Sequence, residues 1–399
     1  MSSRPAPMQT LFEAQVELLE SFQEEGVSLD EGLGALNLTY DSLAYEDSRS
    51  LVWQGPEPLR LEEFERRKNP PPFVSFFTGC GGVDLGFEAV GIKHVAAFEF
   101  NELFCKTLRR NRPRWKVYGP PTHSGDVSRH DEVVAALQSQ VAAPFDGIFV
   151  GGPPCQPFSI AANQRFSKSG DNFKRVGFAH ASNGNLLFDY VQLVLEFRPR
   201  AFMIENVPGL RDIDGGKQLR QAIGELEAAG YRVHEPMVLN AADYGIAQQR
   251  QRLFVVGALS DRPFVPPRPH RQWIGCGAVL SAVPDGKPNH ETRAHQLGSI
   301  LRYMRLAYRA RDQLGRVDRL DPTQPSKTVI AGGLNGGGRS HLHPEIPRTL
   351  SVRECARLQS FPDDYVFVGP TARQFTQVGN AVPPVLAAAM GEALMDSYF

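Results

Sequence analysis

Short apolar runs alternate with segments of helical periodicity between Phe73 and Val256, and this alternation limits the folds open to the chain. Each apolar run is about four to eight residues long and ends at turn-forming residues, which predicts a strand. The predicted strands are Phe73–Phe77, His94–Phe98, Phe145–Val150, Ala201–Ile204, Arg232–Leu239 and Leu253–Val256, and the predicted helices between them are Val83–Val90, Asn101–Arg110, Leu186–Glu196 and Lys217–Ala229. This order predicts an α/β fold with a Rossmann-like, doubly wound and mostly parallel sheet.

The rhythm differs on both sides of this region. Before it, Leu11–Phe22 has helical spacing, Ser28 is placed to cap a second helix, and Asn69–Pro72 resembles a stiff linker. After Gly257, proline, glycine, arginine and histidine become frequent, with helical patterns only at Leu297–Leu314, Ser351–Gln359 and Val382–Met395. We therefore predict a helical N-terminal extension with linker (1–72), the main α/β domain (73–257), an inserted smaller domain (258–348) and a C-terminal return to the main domain (349–399).

The composition is that of a globular protein without a membrane helix. The chain has 399 residues, of which 42% are hydrophobic and 22% charged, and no run of about 18 apolar residues occurs. The N-terminus lacks the apolar segment of a signal peptide. Five cysteines without a CxxC pair argue against a disulfide framework and predict a reducing, intracellular compartment.

Positive charge is concentrated in the inserted part. Residues 258–350 contain fourteen Lys and Arg against seven Asp and Glu, so this segment carries a net charge of +7; because the whole chain carries −1, the remainder carries −8. A basic module on an acidic body is typical of a nucleic-acid-binding surface. The first 70 residues are acidic, so most of them are not expected to contact DNA.

The segment around Cys155 indicates a nucleophile. It follows the apolar run that ends at Val150, and two glycines and three prolines surround it, in the order Gly151-Gly152-Pro153-Pro154-Cys155-Gln156-Pro157. Prolines fix the backbone φ, so the thiol is presented on a rigid turn at the carboxyl end of a strand, where open α/β sheets bind ligands. A cysteine that only packs in a core would not require these neighbours.

A glycine-rich turn predicts a nucleoside site. Gly79, Gly81 and Gly82 lie between the first predicted strand and the first helix, and Glu99 ends the second strand. The glycines allow a ligand close to the backbone, and an acid at that position commonly accepts hydrogen bonds from ribose hydroxyls. The spacing is neither the dinucleotide fingerprint nor a P-loop, which favours a nucleoside without a diphosphate, S-adenosylmethionine above all. A turn that needs glycine only for its shape is the alternative.

Six segments, in this order, resemble the DNA cytosine-5 methyltransferases of bacterial restriction–modification systems. They span about residues 73 to 399 and are Phe76–Gly82, Gly151–Ser159, Glu205–Val207, Gln248–Arg252, Leu350–Arg357 and Gln377–Pro383. The resemblance implies a class I S-adenosylmethionine-dependent methyltransferase in which 73–257 is the catalytic domain and 258–348 the target-recognition domain.

For that reaction Cys155 is the expected nucleophile. Cytosine C5 is a poor nucleophile, and attack of a thiolate at C6 activates it. Glu205, at the end of a strand, is the candidate acid at N3, because burial would raise its pKa. Arg252, and secondarily Arg250, would hold the cytosine O2 and favour the thiolate. The base must leave the duplex to be reached, and the polar segment Ile160–Asn183 suits a loop that closes over DNA.

The resemblance also implies the cofactor contacts. It places Phe77 against the adenine, Glu99 on the ribose, Asp126 near the adenine amino group, Leu186 beside the adenine and Asn380 near the methionine end. Phe100 stands where the family often has tryptophan and is expected to stack as well. The remaining predicted cofactor-binding residues are Thr78, Gly79, Cys80, Gly81, Gly82 and Val127.

The resemblance implies double-stranded DNA as the partner, bound by a monomer without any membrane. It further implies a bacterial cytoplasmic, nucleoid-associated enzyme with a cognate restriction endonuclease. Two alternatives are a tRNA cytosine-5 methyltransferase, disfavoured by the sequence after Cys155, and a catalytically silent DNA-binding paralogue, disfavoured by the intact Cys155, Glu205 and Arg252.

Other chemically versatile residues are predicted to have ordinary roles. His341, His343 and Cys276 match no zinc spacing, and the two histidines are expected near DNA phosphates. Packing roles are predicted for Cys80, Cys105 and Cys355, and Arg353 and Glu354 are expected to brace the domain junction.

Overall fold

The structure is a computed structural model, and it describes residues 8–47, 53–154, 186–270, 272–281, 283–284, 286–331 and 341–399. The strands are β1 (Pro72–Phe76), β2 (Lys93–Phe98), β3 (Val117–Tyr118), β4 (Ile148–Gly151), β5 (Ala201–Asn206), β6 (Arg232–Val233), β7 (Met237–Asn240), β8 (Gln251–Ala258), β9 (Arg311–Asp312), β10 (Val317–Arg319) and β11 (His341–Leu342). The helices are α1 (Met8–Glu25), α2 (Leu29–Ala35), α3 (Gly82–Ala89), α4 (Glu102–Asn111), α5 (His130–Gln138), α6 (Leu186–Phe197), α7 (Lys217–Ala228), α8 (Gly277–Leu280), α9 (Leu297–Met304), α10 (Val352–Leu358), α11 (Thr371–Asn380) and α12 (Pro384–Tyr398).

An eight-stranded sheet organises the main domain. Its order is β3-β2-β1-β4-β5-β8-β6, and β7 also pairs with β8. Strands β1 to β5 are parallel to one another, whereas β8 is antiparallel to β5, β6 and β7. The predicted doubly wound, mostly parallel sheet is therefore confirmed. Because the strands are parallel, the carboxyl ends of β1, β2, β4 and β5 lie along one edge.

Helices cover both faces of this sheet. One core cluster joins the strands to α3 and α12, and a second joins them to α5, α6 and α7. Helix α12 approaches α3 closely, since a Cβ atom added at Gly86 would lie 2.5 Å from the Ala388 backbone nitrogen. The predicted packing of the last helix onto the first half of the sheet is thus confirmed. The C-terminal segment Thr371–Tyr398 is long and apolar enough to span a membrane, but 83% of its most apolar 18-residue stretch is buried inside the protein.

Two predicted elements differ from the structure, and several observed elements were not predicted. The single strand expected at Arg232–Leu239 is two strands, because Pro236 between them cannot donate a ladder hydrogen bond. The helix expected at Leu297–Leu314 ends at Met304; Arg309 has a left-handed φ of 67°, and the chain then pairs β9 with β10. Helix α11 was not predicted, because its sequence is largely polar.

Candidate active site

The turn that leads to Cys155 lies at the carboxyl edge of the sheet. Strand β4 ends at Gly151, and the Gly152 amide donates to the Phe76 carbonyl oxygen of the neighbouring β1 at 3.4 Å. Cys155, one residue past Pro154, and the predicted DNA-closing loop Ile160–Asn183 lie outside the described residues. The described part of the turn therefore locates where the thiol-bearing segment begins, between the ends of β1 and β5.

Asn206 holds this turn in place. Its Nδ2 donates to the Pro153 carbonyl oxygen at 2.8 Å, and its Oδ1 accepts from the Val207 amide at 2.8 Å. The side chain is buried, so both groups have partners where water is excluded. Asn206 is part of the Glu205–Val207 motif, but no role for its side chain was predicted; its position directly after Glu205 at a strand end was the available signal.

Glu205 faces the same turn and pairs with Arg252. A Cβ atom added at Gly152 would lie 3.0 Å from Glu205 Oε2. On the other side, Arg252 Nε lies 2.9 Å from Glu205 Oε1, with the two side chains only 11% and 13% exposed. The antiparallel register makes this contact, since Glu205 is opposite Phe254 and Arg252 lies two residues away from Phe254 on the same face of β8. The predicted acid and arginine are thus adjacent to each other and to the Cys155 turn.

Burial dominates the electrostatics of this pair. It raises the pKa of Glu205 above its ordinary value, although the positive charges of Arg252 and Arg250 and the hydrogen bond from Arg252 oppose it. Burial also lowers the pKa of Arg252, against the attraction of Glu205. A carboxyl group in this position holds a proton more readily than one in water. It could donate that proton to an acceptor atom of a ligand bound nearby.

Arg250 lies close by but has a different environment. It is buried, and its Nη1 donates to the Val329 carbonyl oxygen at 3.1 Å. Its Nη2 donates to the carbonyl oxygens of Gly379 and Ala381 at 2.6 and 2.8 Å. These contacts give Arg250 a positioning role between the insert and the C-terminal return, and its secondary role at the base stays a prediction.

Glu99 anchors the glycine-rich turn. Its Oε2 accepts from the Gly79 amide at 2.8 Å, and its Oε1 accepts from the Asn101 amide at 2.7 Å. Burial raises the pKa of Glu99 to about 7, although these amides oppose the shift. Each carboxylate oxygen has two lone pairs, so both can still accept a hydroxyl. Sequence reasoning predicted the ligand role but missed the anchoring of the turn.

The turn leaves an open cradle on its outer side. Gly79 and Gly81 have φ angles of 61° and 83°, which favour glycine. A Cβ atom added at Gly79 would meet no atom within 4 Å, so the backbone borders open space. Phe77, also at positive φ (54°), is half-buried beside it. This arrangement fits a nucleoside-binding turn better than a turn that needs glycine only for its shape. The reason is that Phe77 adopts an unfavourable positive φ next to open space that a ligand could fill.

Two predicted cofactor-binding residues, Thr78 and Cys80, direct their side chains into the protein. Thr78 Oγ1 lies 2.9 Å from Ser75 Oγ and 3.2 Å from the Phe98 carbonyl oxygen. Cys80 Sγ donates to the Gln377 carbonyl oxygen at 3.3 Å, and burial raises the pKa of its thiol. Their side chains brace the turn, so any contact with a cofactor would come from their backbone.

The remaining predicted cofactor-binding residues differ in their exposure and local contacts. Phe100 is 65% exposed, which is unusual for a large aromatic side chain and leaves a ring face for stacking. Asp126 Oδ1 accepts from the amide and hydroxyl of Ser128 at 3.0 and 2.7 Å. Val127 is buried, Leu186 is the buried first residue of α6, and Asn380 is the exposed last residue of α11.

The prediction that His341 and His343 lie near DNA phosphates is wrong. Both side chains are buried, with ring nitrogens 3.3 Å from the carbonyl oxygens of Thr328 and Leu280. Cys276 is also buried, and its Sγ donates to the Asp321 carbonyl oxygen. Across the described residues, no group of three or more His, Cys, Asp and Glu side chains is placed to hold a metal ion.

Cys80, Cys105 and Cys355 are buried free thiols, as predicted. Arg353 and Glu354 brace the domain junction, as predicted. Arg353 donates to the carbonyl oxygens of Pro288 and Pro362 at 3.0 and 2.8 Å. Glu354 forms a buried bidentate pair with Arg348, with both distances 2.9 Å. Together they connect the insert to the C-terminal return.

Comparison of the sequence with known families and proteins agrees with this geometry. Residues 72–302 and 281–396 match the family model for C-5 cytosine-specific DNA methylase. The chain is 31% identical to the type II methyltransferase M.PspPI of Psychrobacter over 81% of this chain and 78% of the relative. It is 32% identical to M.NgoFVII of Neisseria gonorrhoeae over 82% of this chain and 86% of the relative.

Solved structures share the fold. A prophage-encoded Escherichia coli protein, titled as a DNA modification methyltransferase, superposes with a TM-score of 0.67 at 23% identity, covering 82% of this chain and 99% of that one. The Dnmt2 methyltransferase of S. pombe superposes with a TM-score of 0.56 at 15% identity over the same shares. At these identities the likeness concerns the fold alone.

Proposed function

The chain belongs to the C-5 cytosine-specific DNA methylases, and from that premise we propose how and where it acts. It is a DNA cytosine-5 methyltransferase that uses S-adenosylmethionine. We propose that it modifies one cytosine in a specific duplex sequence, through base flipping and a covalent bond between Cys155 Sγ and C6. We further propose that it is the modification enzyme of a bacterial restriction–modification system.

The observation that carries the mechanism is the Glu205–Arg252 pair beside the turn to Cys155. A thiolate that adds to C6 moves an electron pair towards C5 and N3, and the developing charge needs a proton or a cation nearby. Glu205 is the group whose burial favours the protonated form. It would therefore donate a proton at N3 while the Cys155–C6 bond forms, which leaves C5 as an enamine carbon.

Arg252 would orient both partners of this step. A guanidinium carries five N–H donors, so Arg252 can hold Glu205 Oε1 and the cytosine O2 together. Its contact with Glu205 at 2.9 Å fixes the plane of the carboxyl group. Its charge would also favour the thiolate form of Cys155. After the methyl group is added, a general base removes the C5 proton, the Cys155–C6 bond breaks with Cys155 leaving as the thiolate, and the N3 proton returns to Glu205.

The cofactor residues would hold the nucleoside at the edge next to this pocket. Glu99 would accept hydrogen bonds from the ribose hydroxyls, Phe77 and Phe100 would contact the adenine, and Asp126 would accept from its amino group. When bound, S-adenosylmethionine supplies an electrophilic methyl group. Leu186 and Asn380 would complete the site beside the adenine and at the methionine end.

The partner we propose is duplex DNA, bound by a monomer and read by the insert over residues 258–348. A base inside a duplex is out of reach, so the target must be extruded into the pocket. The net positive charge of the insert and the type II methyltransferase names of the relatives support this proposal. The same support favours a cytoplasmic, nucleoid-associated enzyme with a cognate restriction endonuclease.

Bisulfite sequencing tests this proposal. Genomic DNA from cells that express the chain should show one sequence context in which cytosine is fully protected. DNA from cells that express Cys155→Ser should show none, because a serine hydroxyl is far less ionised than a thiol. Purified enzyme that methylates tRNA and leaves DNA unmodified would contradict the proposal.

A further inference from the structure

The N-terminal extension contacts the insert, although the two are more than 240 residues apart in sequence. The apolar faces of α1 and α2 pack against α9 and the small sheet of the insert in one buried cluster. Its members from the extension are Phe12, Val16, Leu19, Phe22, Leu29, Leu33, Tyr40 and Leu43, and those from the insert are Ile300, Leu301, Tyr303, Met304, Val317 and Leu342.

The insert could not bury this much apolar surface alone. Helix α9 has eight residues, and β9, β10 and β11 have two or three residues each. Elements this short are marginal unless another layer covers them. The extension supplies that layer, and the Glu46 amide donates to the Met304 carbonyl oxygen at 2.9 Å.

Arg319 forms the main polar contact of this interface. Its guanidinium carbon lies 3.5 Å from the ring centroid of Tyr45, in the extension, and 3.9 Å from that of Tyr308, in the insert. The same guanidinium pairs with Asp47 and donates to the Pro344 carbonyl oxygen at 3.0 Å. Arg319 is buried, so the extension neutralises a charge that sequence counting assigned to the DNA surface.

A second arginine of the insert, Arg348, is held in the same way. Arg348 Nε lies 3.2 Å from Asp41 Oδ1 of the extension, while its Nη1 and Nη2 donate to the carboxylate oxygens of Glu354. Tyr45 adds a hydrogen bond from its hydroxyl to the His343 carbonyl oxygen at 2.8 Å. The extension therefore binds both the middle and the end of the insert.

The charge of the extension argues against direct contact with DNA. Residues 8–47 contain ten Asp and Glu and no Lys, Arg or His, a net charge of −10. A surface of this sign repels phosphates. The extension is therefore suited to hold the insert from behind while the opposite side faces the duplex.

We propose that the extension is the second half of the target-recognition module: through the Arg319–Tyr45–Asp47 contact it positions the insert for sequence discrimination without touching DNA. This inference rests on the proposed function. Tyr45 and Asp47 act through Arg319 and the strand β10 that carries it, so they are positioning residues. Loss of their contact should loosen the insert while the cofactor edge, on the other domain, keeps its structure.

The experiment compares Tyr45→Leu, which removes the ring over Arg319 and the hydroxyl, with Tyr45→Phe, which keeps the ring. Glu13→Gln, a charge change on the exposed face of α1, serves as the control. Three quantities are measured. The first is the discrimination ratio, which is the dissociation constant for a duplex with one altered base pair divided by that for the target duplex. The others are the affinity for S-adenosylhomocysteine and the rate of hydrogen exchange. Wild-type methylation of the mapped target, measured first, tests the proposed function separately.

Tyr45→Leu should lower the discrimination ratio about tenfold, the scale of one lost base contact. It should also speed hydrogen exchange in α9 and β10, while α3 and the S-adenosylhomocysteine affinity stay as in the wild type. Tyr45→Phe, which keeps the ring and loses only the hydrogen bonds of the hydroxyl, should lower the ratio less, and Glu13→Gln should keep the wild-type ratio. If Tyr45→Leu does not fold, Asp47→Asn replaces it with the same expected direction.

Two results would overturn the inference. One is a folded Tyr45→Leu protein with the wild-type ratio and unchanged exchange in α9. The other is loss of S-adenosylhomocysteine binding in both Tyr45→Leu and Asp47→Asn, since the extension would then hold the whole enzyme together instead of the recognition module.

Discussion

Glu205 combines two requirements that conflict in most protein environments. In the proposed mechanism it must be buried enough to carry a proton, yet it must keep a fixed direction towards the target cytosine. Burial raises its pKa, and Arg252 at 2.9 Å fixes its carboxyl plane. The strand-end position of Glu205 and the neighbouring arginine were predictable from sequence. The hydrogen bond from Asn206 to the Pro153 carbonyl oxygen was not predictable, because it joins the end of β5 to the turn after the neighbouring strand β4.

Glu205→Gln should reduce methyl transfer by about 10²- to 10⁴-fold, the usual contribution of a general acid. Glutamine can still accept from Arg252 but cannot supply the proton. The measurement is the initial rate of tritium transfer from labelled cofactor to DNA, with calorimetry of S-adenosylhomocysteine binding as the check on folding. Because the protonated form of Glu205 acts, wild-type chemistry should slow as pH rises through its raised pKa. Glu205→Gln with at least a third of the wild-type rate would exclude this role.

Glu99→Ala should weaken S-adenosylhomocysteine binding by about 10- to 100-fold, since two ribose hydroxyls and the Gly79 amide lose an acceptor. The wild-type affinity should rise with pH through about 7, the raised pKa of Glu99, because the carboxylate is the better acceptor. Calorimetric titrations between pH 6 and 8 measure both effects. An affinity that is independent of pH and of this substitution would place the cofactor elsewhere.

At the scale of elements, the local pattern of apolar residues predicted the strands that are continuous apolar runs and the helices that have one apolar face. It failed where a distant contact decides the outcome. The end of α9 depends on the pairing of β9 with β10, and α11 is stabilised by packing that its own polar sequence does not indicate. The buried positions of His341 and His343 likewise depend on contacts with segments far away in sequence.

The Arg348–Glu354 pair should stabilise the junction of insert and C-terminal return. Burial opposes ionisation of Glu354, but hydrogen bonds and charge from Arg348, with His343 adding, lower its pKa to about 2. Glu354→Gln should cost about 3–5 kcal/mol of unfolding free energy at pH 7, because it leaves a buried arginine unpaired. Asp41→Asn, at the exposed partner of Arg348, should cost less than about 1 kcal/mol.

Urea denaturation of the three proteins measures these differences. The folded-state pKa of Glu354 lies below its ordinary value of 4.5, so its contribution is complete above that value and is lost as pH falls towards about 2. The wild type should therefore approach the stability of Glu354→Gln as the pH is lowered from 5 to 2. A difference between the two that does not change with pH would contradict the assignment.

At the scale of the molecule, the sheet edge carries the candidate active-site residues. Besides it, the structure has a module in which the N-terminal extension packs on the insert, two parts that are distant in sequence. The positions of Glu205, Arg252 and the glycine-rich turn at the sheet edge could be predicted, because family motifs and strand ends coincide there. The pairing of an acidic extension with a basic insert could not, since charge counting does not show which arginines are buried. The net charge of the insert therefore overstates the charge it offers to DNA.

Covalent trapping tests the central claim most directly. A duplex with 5-fluorocytosine at the mapped target is incubated with enzyme and S-adenosylmethionine and analysed on a denaturing gel. Fluorine cannot leave C5 as a proton does, so the Cys155–C6 bond should persist after methyl transfer. The predicted result is a stable protein–DNA band that requires the cofactor and is absent with Cys155→Ala or with unmodified cytosine. No band with the wild type, or an equal band with Cys155→Ala, would contradict the account.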